Sequence, residues 1–176
     1  MRATRSRYSR GVPIPEFVTR LRAGVGHDLL WLPGVSAVVT DDAGRLLLGR
    51  RADNGHWAVV SGIMDPGEEA APAALREVLE ETGIEAEAIA VTAVSTSEVI
   101  TYANGDVAQY LDVCFWCRRT GGETHVADDE SLEVGWFAPD DLPQPLNPSS
   151  AERIARTLAY IDQAAGTSPT QPWFAR

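Results

Sequence analysis

The segment from Gly62 to Ile84, GIMDPGEEAAPAALREVLEETGI, leaves little freedom for its local fold. Ala71, Ala74, Leu75, Val78 and Leu79 recur at three- and four-residue intervals, the pattern of a helix with one buried stripe. Pro72 suits the first turn, where its missing N–H costs nothing, and Glu68 and Glu69 complement the positive end of the helix dipole. Gly83 stands where a left-handed residue ends a helix. Upstream, Asp65-Pro66-Gly67 is a turn sequence. The spacing therefore predicts a loop, a turn, a helix over Glu69 to Thr82 and a glycine stop.

Within that helix Glu77 precedes Glu80 by three residues and Glu81 by four. Side chains at those intervals are neighbours, roughly 5–6 Å apart at Cβ, and like charges so placed cost about 0.2–0.5 kcal/mol per pair. Arg76 is the one basic residue of the helix that offsets them. A Glu-Glu pair taken alone is ordinarily a solvated acidic face. Carboxylate oxygens gathered on one face also suit a hard divalent cation, which takes oxygen ligands and shares them with substrate phosphates.

The whole spacing is more specific than the pair. Gly-x5-Glu-x7-Arg-Glu-apolar-x-Glu-Glu-x-Gly-apolar is filled without a gap by Gly62, Glu68, Arg76, Glu77, Val78, Glu80, Glu81, Gly83 and Ile84. In this the sequence resembles the Nudix hydrolases, the MutT-like enzymes. The resemblance runs from about Gly34 to Ala164 and implies an α/β fold, an α/β/α sandwich with a mixed β-sheet. It implies a pyrophosphohydrolase of phosphorus-containing acid anhydrides, cleaving the phosphate chain of a nucleoside diphosphate linked to another moiety. ADP-ribose, another nucleotide sugar or a nucleoside triphosphate are substrates of that type.

Residue by residue, the resemblance assigns Mg²⁺ or Mn²⁺ to Glu77, Glu80 and Glu81, with a carbonyl of Ser61 or Gly62 as a further ligand. This chain has serine at 61, where many members have a second glycine. Glu68 and Arg76 support the geometry of loop and helix, as do Gly62 and Gly83. Another metal-binding acid is expected ahead of a late tryptophan; Glu130, before Trp136, is the choice and Asp129 the fallback. Glu77 and Glu81 are the catalytic candidates, with Glu77 as the base and Glu130 next in line. The alternative function is a catalytically silent Nudix-like nucleotide-binding regulatory module. Such modules typically lose one or more of these glutamates, and this chain keeps them.

Substrate contacts are less sharply marked. Arg50 and Arg51 end a predicted strand, and arginine forks suit phosphate oxygens; a strand-end salt bridge is an equal reading. Trp57 and Tyr102 are candidates to stack on a base, although aromatics in strands and turns are more often core.

The net charge of −10, from 15 basic and 25 acidic residues, argues against a nucleic-acid-binding surface, which needs a basic footprint. It fits a nucleotide-derived small-molecule substrate that arrives with metal ions. No apolar run is long enough to span a bilayer, and the basic N-terminus lacks the apolar stretch of a secretion signal, so the expected location is cytoplasmic without membrane contact. A homodimer is compatible with the family. Cys114 and Cys117 lie in a predicted strand, where residues three apart face opposite ways, so neither a disulfide nor a shared metal is expected.

The expected organisation is an N-terminal arm and short helix over 1–30, a Nudix domain over 31–165 and a tail over 166–176. Within it, Pro15–Ala23 reads as a helix. Val35–Thr40 and Arg45–Arg50 read as a hairpin about Asp41-Asp42-Ala43-Gly44. Trp57–Val60, Ala88–Val99, Val107–Arg118 and Leu132–Phe137 read as strands, with an Asn104-Gly105 turn between the middle two. Ser149-Ser150 is expected to cap a last helix over Ala151–Gln163.

Overall fold

The computed structural model describes residues 14–126, 131–166 and 170–175. In chain order these form α1 (Glu16–Val25), β1 (Leu30–Thr40), β2 (Leu46–Arg51), β3 (Trp57–Ala58), β4 (Val60–Ile63), α2 (Ala70–Thr82), β5 (Ile84–Thr96), β6 (Ile100–Thr101), β7 (Val107–Gly122), β8 (Ser131–Phe137) and α3 (Pro148–Ala164). The strands make one sheet with central order β3-β2-β1-β7-β5; β4 adds to β1, β6 to β7 and β8 to β2. β1 and β7 run parallel and the other named pairs antiparallel, so the sheet is mixed.

Alternation along the strands divides the core into two layers. Val35, Ala37, Val39, Leu47, Val60, Phe115 and Cys117 pack with Ala73, Ala74 and Val78 of α2. Val38, Leu46, Leu48, Trp57, Val59, Ala93 and Cys114 pack with Ile154 of α3. Covered on both faces, β1 is buried almost continuously from Gly34 onward. Each leucine of the Leu46-Leu47-Leu48 run is fully buried, contributing about 1.5–3 kcal/mol by leaving water. Cys114 and Cys117 fall in opposite layers and both thiols are free, as their spacing in a strand requires. Burial pushes the Cys117 thiol up to about 12, which keeps it inert.

Several boundaries differ from expectation. β1 begins at Leu30 rather than Val35 because its first residues pair with β7, Leu30 opposite Ala108. Pro33 hides this in the sequence. Its carbonyl accepts from Met64 N–H at 3.2 Å, so its ring nitrogen faces the end of β4, where no donor is needed. The expected strand Trp57–Val60 is two strands: Trp57 and Ala58 pair with β2, and Val60 to Ile63 pair with β1. β5 starts directly after Gly83 and ends at Thr96, while β7 continues to Gly122.

α3 is capped by Asn147, not by the serines. Its Oδ1 accepts from Ser149 N–H at 2.9 Å and Ser150 N–H at 3.4 Å, with Pro148 beginning the helix. Ser150 is buried, and its Oγ accepts from Val59 N–H at 3.2 Å, tying α3 to the β3–β4 crossing. Asn147→Ala should therefore cost about 1 kcal/mol of stability, measurable as a lower denaturant midpoint with an unchanged slope.

Candidate active site

β1 and β2 share one residue pair, Thr40 with Leu46, and then part. Beyond it β1 takes β4 as its neighbour, whereas β2 takes β3 and β8. A cleft opens where they diverge, lined by Gly49, Arg51, Ala58, Val59, Ser61, Glu81 and Ser131. The chain crosses from one arm to the other through Val59, so Ser61 arrives at the cleft already held in β4.

α2 packs against this arm through Ala73, Ala74 and Val78. It ends as its sequence predicts: Gly83 adopts φ 70° and ψ 7°, with its N–H bonded to Leu79 O. Pro72 lies in the first turn, and Glu69 precedes the helix without a side-chain cap bond.

Arg76 organises the acids. Its Nε and Nη2 donate to the two oxygens of Glu68 at 2.8 and 2.9 Å, and its Nη1 donates to Glu77 at 2.9 Å and Glu80 at 3.0 Å. Glu68 in turn accepts from Asp65 N–H at 3.1 Å, so one ion pair joins the turn to the helix. The hydrogen bonds from Arg76 hold the Glu68 carboxyl below the usual range, despite partial desolvation. A carboxyl lowered in this way adds stability above its ordinary value of 4.5, and the contribution is lost as pH falls through the lowered folded value. Glu68→Gln should flatten that part of the acid limb, read as the thermal midpoint followed from neutral pH down to about pH 3.

Glu77 shifts the other way. Its side chain is 17% exposed. Burial raises its carboxyl above the usual range, with the Arg76 charge working against that rise. A Cβ built on Gly62 would fall inside the Glu77 carboxylate. Gly62 is not among the positive-φ glycines, so the position needs glycine for space and not for backbone freedom. The half-buried carboxylate thus lies directly on the β4 backbone.

The three helix glutamates do not close into a cage. Among the described residues no three His, Cys, Asp or Glu side chains are placed to hold an ion together. Arg76 draws Glu77 and Glu80 to itself, Glu80 is 57% exposed at the rim, and Glu81 lines the cleft. The donors still fit a hard cation in kind. Glu77 is a carboxylate whose burial penalises its charge and which packs on Gly62, while Glu81 lines the cleft together with Ser61. Mg²⁺ ordinarily binds through one or two carboxylates and completes its shell with water and substrate. Glu130 and Asp129 lie outside the described residues.

Of the candidate substrate contacts, Arg51 lines the cleft and Arg50 does not. Arg50 Nε donates to Gly55 O at 3.2 Å, closing the turn after β2. Trp57 is 6% exposed and packs edge-on against Phe137 with ring centroids 4.8 Å apart. An indole enclosed in the core has no face to offer a base, so that expectation is corrected. Tyr102 is exposed on the β6–β7 turn, where its hydroxyl meets that of Tyr110 at 2.7 Å; it does not line the cleft. Gly49 and Ser131 escaped the sequence reading. A Cβ on Gly49 would come within 3.1 Å of Ser131 Oγ, so this glycine keeps the cleft wall low. A glycine breaking the run Leu46 to Leu48 was the available signal.

A profile of the NUDIX domain matches residues 30–157. A MutT-like protein of Streptomyces ambofaciens is 35% identical over 137 residues, covering 77% of this chain and 78% of that protein. An RNA pyrophosphohydrolase of Novosphingobium aromaticivorans is 41% identical over 141 residues, covering 68% of this chain and 85% of the relative. Among solved structures, a MutT NUDIX hydrolase from Burkholderia pseudomallei superposes with a TM-score of 0.62 at 31% identity, covering 72% of this chain and 98% of that one.

Proposed function

This chain belongs to the Nudix hydrolase family, and we propose that it is a metal-dependent pyrophosphohydrolase acting on a nucleoside diphosphate linked to another moiety. Two observations carry the reading: Arg51, Ser61 and Glu81 line one cleft, and the Glu77 carboxylate packs on the backbone of Gly62, the next residue after Ser61.

Glu77 and Glu81 would hold the ion, with a carbonyl of Ser61 or Gly62 as a further ligand and Glu80 as a supporting acid. When bound, Mg²⁺ or Mn²⁺ neutralises phosphate oxygens and lowers the pKa of a water. The protein's own residues supply the rest. Arg51 contacts phosphate oxygens at the lip of the cleft, where a guanidinium offers paired donors. Glu77 is the carboxylate assigned to take the proton from the attacking water. Arg76 and Glu68 keep the loop and helix in register while this happens. Products are a nucleoside monophosphate and a second phosphate ester, or pyrophosphate from a triphosphate.

The net charge of −10 supports a small nucleotide over an RNA chain, because a polyanion brings many phosphates against an acidic surface. Among the described residues no helix is long and apolar enough to cross a membrane. The test is a hydrolysis panel spanning nucleotide sugars, dinucleoside polyphosphates, nucleoside triphosphates and 5′-triphosphorylated RNA, each with Mg²⁺, Mn²⁺ or chelator. Turnover of a small nucleotide only when metal is present is the expected result. Nucleotide binding without turnover of any substrate would instead favour the silent regulatory module.

A further inference from the structure

Asp53 has no role in the chemistry above, yet it holds the residue at the lip of the cleft. Its Oδ1 accepts from Arg51 Nε at 2.9 Å and its Oδ2 from Arg51 Nη2 at 2.7 Å. This side-on contact engages two of the five donors of a guanidinium and fixes the plane of the fork. The turn that carries Asp53 is itself closed. Gly55 N–H donates to Arg51 O at 2.9 Å, Arg51 N–H to His56 O at 2.9 Å, and His56 N–H to Asn54 Oδ1 at 2.9 Å.

The other side of Arg51 is set by the sheet. Pairing of β2 with β8 slips between Arg50 and Arg51, so β8 passes from Glu133 to Ser131 while β2 advances one residue. Bulges of this kind re-aim the side chain beside them. Arg51 then shares the cleft wall with Ser61, Glu81 and Ser131.

The Arg51 and Asp53 side chains are 35% and 45% exposed, and ion pairs that open to solvent add little to stability. What a two-point contact does supply is order. A free arginine must give up much rotamer freedom to meet a phosphate, whereas a pre-oriented one gives up less.

We propose that Asp53 is a positioning residue, which holds the Arg51 guanidinium in the orientation that receives the substrate's phosphate chain. The proposal rests on the reading of this cleft as a diphosphate site. It also makes a prediction opposite in sign to simple electrostatics. Asp53 is an anion near an anion-binding group, so by charge alone its removal should tighten phosphate binding. If it positions Arg51, removal weakens binding.

Calorimetric titration of the full chain with inorganic pyrophosphate and Mg²⁺ separates the two, with thermal midpoints recorded alongside. Asp53→Asn should weaken pyrophosphate binding about 3- to 10-fold, the scale of one side chain's ordering cost. In steady state KM should rise while kcat changes less. Asp53→Glu should recover part of the loss, and Asp53→Asn should have no further effect in an Arg51→Ala background. Unchanged or tighter binding by Asp53→Asn overturns the inference, while wild-type binding that still depends on Arg51 leaves the diphosphate reading standing. Equal weakening in the Arg51→Ala background, or a fall in thermal midpoint that accounts for it, assigns Asp53 to the fold and also overturns it. Absence of pyrophosphate binding in the wild type overturns both.

Discussion

Glu81→Gln is expected to slow phosphate-chain cleavage by about 10²–10⁴-fold, the range seen when an acid–base or metal-holding carboxylate is neutralised. Glutamine keeps the size of the side chain and one acceptor oxygen, so the cleft wall formed with Gly49, Ala58 and Val59 stays filled. The substitution also removes an acid spaced four residues from Glu77 on an already acidic helix, which relieves repulsion worth about 0.2–0.5 kcal/mol. Catalysis should therefore collapse while the protein stays folded. Initial rates, Mg²⁺ affinity by calorimetry and a melting curve on one preparation check this. A matched loss of rate and of folded protein would reassign Glu81 to a structural role.

Gly62→Ala is the second large effect, and it arises from volume. The added methyl would occupy the place of the Glu77 carboxylate, which lies against the Gly62 backbone. The end of a glutamate side chain can swing aside, so the fold should survive with a loss of about 1–3 kcal/mol. The displaced carboxylate then leaves both the loop and Arg76 Nη1, to which it is bonded at 2.9 Å. Activity should fall by about 10²-fold or more, the cost of misplacing a reacting group by an ångström. Because Gly62 is not a positive-φ residue, backbone strain does not compete as an explanation. Retained activity in a folded Gly62→Ala protein would show that Glu77 is not needed where the structure puts it.

Glu81 stands out in the sequence because its helix is bounded by Pro72 and Gly83 and carries one buried stripe; these local rules predicted α2 to within one residue. The same rules failed wherever pairing partners decide. Trp57 was a candidate to stack on a base, but its register opposite Arg50 turns it into the core against Phe137. Ser149-Ser150 resembled a cap, but the chain begins α3 three residues earlier than expected and uses Asn147, which frees Ser150 to bond the β3–β4 crossing. Of two adjacent arginines equal in sequence, a bulge and a turn sent Arg51 to the cleft and Arg50 to a backbone carbonyl.

The spacing of Gly62, Glu68, Arg76, Glu77, Glu80, Glu81 and Gly83 determined the family, the helix and the identity of the acids, since short-range geometry repeats wherever that spacing recurs. Which acids share the cleft, and with whom, was decided by contacts far apart in the chain. Arg76 binds Glu77 and Glu80, and the parting of β1 from β2 creates the opening that Glu81 and Arg51 share. Long-range pairing and the burial of charge are properties of the assembled sheet, and no local window of the sequence contains them.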